Sequence, residues 1–139
     1  MDKHLTWAEE IIWVREWLVQ NGWLEEHVGV EFASDRPSCY YGGSEFININ
    51  FHEVEEEEED LENAHIQVYL HEVGHHIHVS NIDEETYNIL RKVYEKGLDM
   101  IEDVEEKLRL KLYHQLPMEA EAEIGREVLY KEILKAGVV

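Results

Sequence analysis

One stretch of the chain, residues 28–51, lacks the three- and four-residue apolar spacing that is typical of helices. Turn-forming residues cluster at 34–38 and at 42–44, and short β-prone runs lie around them. The clearest run is Glu45–Phe51, in which apolar and polar residues alternate from Ile47 onward, and it predicts a half-buried strand. Because two or three strands fit into this stretch, we expect a mostly helical α+β fold with a small N-terminal β-sheet.

Helical spacing is found on both sides of this stretch. Between Thr6 and about Gln20, apolar residues recur every three or four positions, which predicts an amphipathic helix. The six acids at 55–60 predict a solvated loop or the first turn of the next helix. Pro117 suits the start of a last helix and Gly137 lies near its end. The predicted helices cover residues 6–20, about 61–80, 84–112 and 117–135.

Length, charge and cysteine content limit the class of protein. The 139 residues suit a single domain, 1–139, built around one core. The formal charge of -20 repels a phosphate backbone, so we expect no nucleic-acid partner. No apolar stretch is long enough to span a membrane, so no membrane partner is expected. Cys39 is the single cysteine and residues 1–5 lack the apolar core of a signal peptide, so the expected location is cytoplasmic.

Residues 71–75 read His-Glu-Val-Gly-His and fall inside the second predicted helix. Four residues advance an α-helix by about 400°, so His71 and His75 project from nearly one face. They can present two imidazole nitrogens to a single metal ion. Glu72 lies beside this face, where it can take a proton from a water that the ion holds. His76 and His78 are expected to stay outside the site, either exposed or satisfied by local hydrogen bonds.

A catalytic zinc ion usually has three protein ligands and a water, so a third ligand is needed. The segment 118–123 of the last predicted helix supplies three acids, of which Glu119 and Glu123 share a face while Glu121 points roughly away. One acid of the pair can bind the metal, and the other can accept an N–H from a liganding histidine. Either order fits the spacing. The position of Glu119 in the first turn after Pro117 favours Glu119 as the ligand.

Small residues in both segments predict that the two helices pack closely. Gly74 lies inside the His-Glu-Val-Gly-His segment, and Ala120 and Ala122 alternate with the three acids. Glycine has no side-chain carbon and alanine has only one, so a second backbone can approach them closely. We therefore expect the last helix to lie directly against the helix that carries the histidines.

These two motifs together resemble those of a known family. The segment Leu70–His75, followed by Glu119–Ala122, is similar to the glutamate zincins, and within them to the ImmA/IrrE-type metallopeptidases. The motifs of that family read HELGH and E-x-E-A-[ND], and Glu123 stands here in place of Asn or Asp. The resemblance covers the strand from Phe46 and the two motif helices, and it implies a minimal zincin-like domain.

The resemblance also implies the function and the roles of the residues. Zinc would be the cofactor, bound by His71, His75 and Glu119, and Glu72 would be the general base. The chain would then be a zinc metallopeptidase, a hydrolase of protein or peptide substrates that uses a metal-activated water, as in phage-like members of the family. The strand Phe46–Phe51 would align an extended peptide by edge pairing.

Two alternatives remain open from the sequence alone. The chain could be a zincin-like regulatory or protein-interaction module that binds metal without peptidase activity. It could also be a structural acidic helical protein in which the HExxH pattern is accidental. The candidate donors to an oxyanion are Tyr87, Tyr113 and His114.

Overall fold

A computed structural model describes residues 3–57, 61–81, 89, 92, 93, 96 and 116–139. Within these residues the fold is mostly helical with a small three-stranded sheet near the N-terminus, which confirms the expected α+β class. The predicted helix over 84–112 lies outside the described residues, except that 89, 92, 93 and 96 are helical. The oxyanion candidates Tyr87, Tyr113 and His114 also lie outside them.

The helices largely follow the apolar spacing of the sequence. They are α1 (Lys3–Gln20), α2 (Phe51–Glu57), α3 (Ala64–Asn81) and α4 (Pro117–Lys135). Both ends of α4 are confirmed, because Pro117 occupies its first turn and Gly137, with a φ of 74°, directly follows the C-cap residue Ala136. In that conformation the N–H of Val138 donates to the carbonyl of Ile133 at 3.0 Å, which ends the helix. Helix α1 begins at Lys3, earlier than the predicted Thr6.

The first half of the acidic run, residues 55–57, belongs to a helix that was not expected. Residues 55–57 form the last turn of α2, and 58–60 lie outside the described residues. The α2 helix begins where it does because Oδ1 of Asn50 accepts the N–H of His52 at 3.0 Å, as an N-cap does. Asn63, with a φ of 51°, precedes α3 and separates the two helices. The prediction of a loop or a first helical turn at 55–60 was therefore wrong for residues 55–57.

Three short strands form the sheet, in the order β1-β3-β2. They are β1 (Gly29–Glu31), β2 (Cys39–Tyr41) and β3 (Phe46–Asn48). The β3 strand lies in the centre, parallel to β1 and antiparallel to β2. The prediction that Phe46–Phe51 pairs with a peptide was wrong, since β3 has both edges paired and Phe51 already belongs to α2. Within the described residues, β2 is an outer strand of this sheet.

The strand β3 is buried on both faces, so the prediction of a half-buried strand was also wrong. Ile47 and Ile49 are fully buried, as expected, but Asn48 is equally buried on the other side. The loop 33–38 covers that side, and Nδ2 of Asn48 donates to the carbonyls of residues 33, 36 and 37 at 3.0–3.2 Å. A buried amide requires such partners, and these bonds hold the loop that leads into β2.

A single hydrophobic cluster joins α1, the sheet, α2, α3 and α4. Its fully buried side chains include Ile11, Val14, Leu18, Ile47, Ile49, Ile66, Leu70, Val73 and Ile133. The strands and α1 pack on one part of α3, while α4 packs along another. This arrangement fixes α3 between the sheet and α4, and α3 carries the His-Glu-Val-Gly-His segment.

The helices α3 and α4 approach each other at Gly74. An added Cβ there would lie 2.5 Å from the carbonyl oxygen and 3.0 Å from Cα of Ala122. A Cβ on Gly125 would lie 3.0 Å from Cα of Gly74, so a glycine is needed on each helix. Ala122 is buried as predicted, whereas Ala120 is exposed and has no part in this contact. The crossing sets the distance between the acids of α4 and the histidines of α3.

We expect Gly74→Ala to lower the free energy of unfolding by about 3 kcal/mol, because its Cβ meets backbone atoms that cannot rotate away. Urea unfolding of the parent and the variant measures this loss. Gly43→Ala is the matched control, since nothing lies within 4 Å of a Cβ at that position. Equal unfolding midpoints for Gly74→Ala and the parent would contradict the close crossing.

Candidate metal centre

Two helices bring five of the residues of interest together. The α3 helix contributes His71, Glu72 and His75, and the first turns of α4 contribute Glu119 and Glu123. Oε2 of Glu119 lies 3.0 Å from Nε2 of His71 and 3.2 Å from Nε2 of His75. The imidazole rings are 4.8 Å apart between centroids and stand at 87° to each other. Three potential ligand atoms from the two helices therefore converge on one point.

The donor set fits a zinc ion. One atom from each of His71, His75 and Glu119 lies within 4.8 Å of the other two, so this group could hold a metal ion. Ligands of a tetrahedral zinc ion at about 2.0–2.1 Å are separated by about 3.3 Å, close to the two distances from Glu119. Two imidazoles and one carboxylate match a catalytic zinc site, which keeps a position open, whereas calcium requires six to eight oxygens.

The other two acids in the first turns of α4, Glu121 and Glu123, have different environments. Oε1 of Glu123 lies 2.8 Å from Nδ1 of His71, the ring nitrogen that faces away from Glu119. This is an ion-pair distance, although its angles are not those of a hydrogen bond and Nδ1 has no hydrogen-bond partner among the described residues. Glu121 is exposed. The structure thus places Glu119 with the histidine Nε2 atoms, Glu123 behind His71, and Glu121 away from both.

Burial and charge oppose each other at these residues. Burial favours a neutral His71, but Glu119, Glu123 and Glu72 outweigh it and raise the pKa of this imidazole to about 10. The pKa of Glu119 lies far below its ordinary value, because its contacts with His71 and His75 overcome the effect of burial. The contact with His71 also lowers the pKa of Glu123 to about 2. Without metal, the site therefore carries a protonated His71 among ionised carboxylates.

Glu72 is a residue of α3, the helix that packs against the strand β2. Its side chain is buried, with 7% of its surface exposed. It acts electrostatically on His71 of its own helix and on Cys39 of β2. Burial raises the pKa of the Cys39 thiol, and the negative charges of Glu72 and Glu53 raise it further. The carboxylate that the sequence predicts as a base is thus buried on the helix of the two histidines and acts electrostatically on both His71 and the outer strand.

His76 is fully engaged outside the metal group. Its Nδ1 lies 2.7 Å from the hydroxyl of Tyr40 on β2, and its Nε2 lies 2.7 Å from Oε2 of Glu25. A neutral imidazole satisfies both contacts when Tyr40 donates to Nδ1 and Nε2–H donates to Glu25. The expectation that His76 stays outside the metal group is confirmed, but its ring partners are distant in the sequence and not local as expected. The bond to Tyr40 fastens β2 to α3 one residue beyond His75. Tyr40 and Glu25 carry no local sequence signal for this role.

Zinc binding is expected to release a proton. His71 must lose its proton to bind a metal through Nε2, and its raised pKa keeps it protonated below about pH 10 in the metal-free chain. The apparent zinc affinity should therefore fall as the pH falls, by about tenfold per pH unit for each proton displaced. Calorimetry at pH 8 in two buffers of different ionisation enthalpy counts the released protons. Equal heats in both buffers would contradict this account.

Among the described residues, no helix combines the length and the apolar character that crossing a bilayer requires.

Comparisons with family models, curated proteins and solved structures found no match to this chain. The resemblance to the glutamate zincins consequently stays a prediction from the HExxH and E-x-E-A motifs, and the site is described by its own geometry.

Proposed function

We propose that this chain is a zinc-dependent peptidase. The observation that carries the proposal is the convergence of His71, His75 and Glu119 on one point, with the buried Glu72 following His71 on the same helix. Three protein ligands leave the fourth position of a tetrahedral ion open for water or substrate. A structural zinc site would close that position with a fourth protein ligand, usually cysteine or histidine.

Each residue of the group has a role that follows from its contacts. His71 and His75 would bind zinc through Nε2 as neutral imidazoles, and Glu119 would bind through Oε2. A bound zinc ion supplies a Lewis acid that makes a water more acidic and polarises a peptide carbonyl. A carboxylate oxygen of Glu72 would accept the proton of the water and pass it to the leaving nitrogen. Its burial beside His71 keeps this carboxylate within the site.

The strand β2 is the element best placed to align a peptide substrate. It is an outer strand of the described sheet, and an outer strand can pair with an extended chain through backbone hydrogen bonds. The Tyr40–His76 contact holds this strand against the helix that carries the site. A peptide paired along Cys39–Tyr41 would therefore pass close to Glu72, which acts on the Cys39 thiol.

Turnover on unfolded polypeptides tests the proposal. The zinc-loaded chain is incubated with a reduced, alkylated protein and with a peptide library, and the products are identified by mass spectrometry. We expect cleavage that a chelator abolishes and that added zinc restores. A chain that binds one equivalent of zinc but cleaves neither substrate would contradict the peptidase function and support a metal-binding module without peptidase activity.

A further inference from the structure

A line of polar contacts runs behind His71, on the side away from Glu119. Nε of Arg126 donates to Oε2 of Glu123 at 2.6 Å, and the other oxygen of that carboxylate lies 2.8 Å from Nδ1 of His71. Nη1 of Arg126 donates to Oε1 of Gln67, one turn before His71 on α3. Nε2 of Gln67 is itself fixed, because it donates to the carbonyl of Glu62 at 2.6 Å. These contacts therefore connect Gln67 and His71 of α3 through Arg126 and Glu123 of α4.

We propose that Arg126 is a positioning residue for the metal centre. It bridges Gln67 and Glu123 and thereby holds the Glu123 carboxylate against Nδ1 of His71. The negative charge 2.8 Å from Nδ1 favours a proton on that nitrogen, which leaves the lone pair on Nε2, facing the metal position, in the ring form that can bind zinc. This inference rests on the zinc site of the proposed function and adds to it two residues, Arg126 and Gln67, that the HExxH and E-x-E-A motifs do not contain.

The burial of Gln67 and Arg126 supports a role beyond a surface ion pair, since only the third residue, Glu123, has a largely accessible side chain, at 46%. Gln67 is 4% exposed and the Arg126 side chain is 20% exposed, so the guanidinium lies mostly within the interface between the helices. An exposed pair three residues apart on one helix contributes little to stability and holds neither partner in place. Here the second contact, to a buried amide on the opposite helix, fixes the guanidinium in a bridging geometry.

Because Arg126 is positively charged, the direction in which its removal changes the zinc affinity distinguishes two possible roles. A cation close to the site repels a zinc ion, so an arginine that acted through its charge alone would weaken zinc binding. Its removal would then tighten the binding of zinc. A positioning role predicts the opposite result, because without the bridge the Glu123 carboxylate can turn away from Nδ1 and His71 loses its orientation. The direction of the change in affinity separates the two roles.

The test is a zinc titration of the full chain against a competing chelator. We expect Arg126→Met and the charge-conserving Arg126→Lys each to weaken zinc binding about tenfold. Methionine has no donor, and the single ammonium of lysine cannot bridge Gln67 and Glu123 as the planar guanidinium does. The neutral variant Gln67→Met should weaken it in the same direction. In a Glu123→Gln background, Arg126→Met should change the affinity by less than about twofold, because the group it positions is already lost. Lys131→Met removes an exposed cation from the same helix and is the control for charge.

Three results would overturn the inference. The first is unchanged or tighter zinc binding by Arg126→Met, and the second is an equal loss in the parent and Glu123→Gln backgrounds. The third is an absence of zinc binding by the parent, which would also remove the proposed zinc site. Zinc binding without peptide hydrolysis contradicts the peptidase function alone, so the two failures are distinguishable. Urea unfolding of each metal-free variant separates a loss of zinc from a loss of fold.

Discussion

Glu72→Gln is expected to bind zinc as the parent does and to lose peptide hydrolysis by about 10²- to 10⁴-fold. The amide has nearly the shape of the carboxylate but cannot accept a proton from water. Since Glu72 is not among the three converging ligand atoms, its replacement leaves the metal group intact. Zinc content and the initial rate of peptide cleavage, measured on the same preparation, give the two readouts.

The matched control for this variant is Glu121→Gln, which makes the same chemical change at an exposed position. It should retain both zinc and activity. Equal cleavage rates for Glu72→Gln and the parent would contradict Glu72 as the base. Loss of zinc by Glu72→Gln would instead show that this carboxylate supports the metal group, and the loss of activity would then say nothing about proton transfer.

Glu119→Ala is expected to weaken zinc binding by more than about 100-fold, because it removes one of the three ligand atoms. Glu123→Ala should weaken it by about 10- to 100-fold, as expected for a group that orients a liganding histidine. Glu121→Ala should have little effect, since its side chain is exposed. A titration against a competing chelator ranks the three variants.

The opposite ranking would change the assignment of these acids. If Glu123→Ala lost more affinity than Glu119→Ala, then zinc would lie on the side of His71 that faces Nδ1. A dominant loss at Glu121 would require a different helical phase for α4 when metal is bound. His71→Ala provides an upper reference, because it removes a ligand and the contact to Glu123 together.

The elements that position the candidate site were predictable because they depend on local signals. The spacing of His71 and His75 on one helical face follows from the helical repeat, as does the pairing of Glu119 with Glu123. The start of α4 at Pro117 follows from the fixed φ of proline. The sequence left the order of Glu119 and Glu123 open, because that order depends on where α4 crosses α3.

The features that the sequence did not predict depend on contacts between distant segments. The predicted strand run 45–51 stops short of Phe51, because the side chain of Asn50 caps α2, and the alternating pattern of the run carries no sign of the cap. The burial of Asn48 depends on a loop that precedes it by more than ten residues. The pairing of β3 on both edges, which leaves β2 outermost, is a matter of strand order that apolar alternation cannot specify.

The bridge from Gln67 through Arg126 to Glu123 also could not be predicted from the sequence, because it depends on contacts between distant segments. Gln67 and Arg126 are ordinary polar helix residues in the sequence, and they become partners only because α3 and α4 cross at Gly74. Likewise, a small residue is required at Gly125 only because the backbone of Gly74 lies against it. Periodicity predicts which face of a helix is buried but leaves open which residue of another helix will face it.

The measurement that tests the central claim most directly is anomalous scattering at the zinc absorption edge from crystals of the zinc-loaded protein. We predict one strong peak within about 2.0–2.2 Å of Nε2 of His71, Nε2 of His75 and an oxygen of Glu119. A zinc ion bound through Glu123 or Cys39 in place of Glu119, or no peak between α3 and α4, would contradict the account.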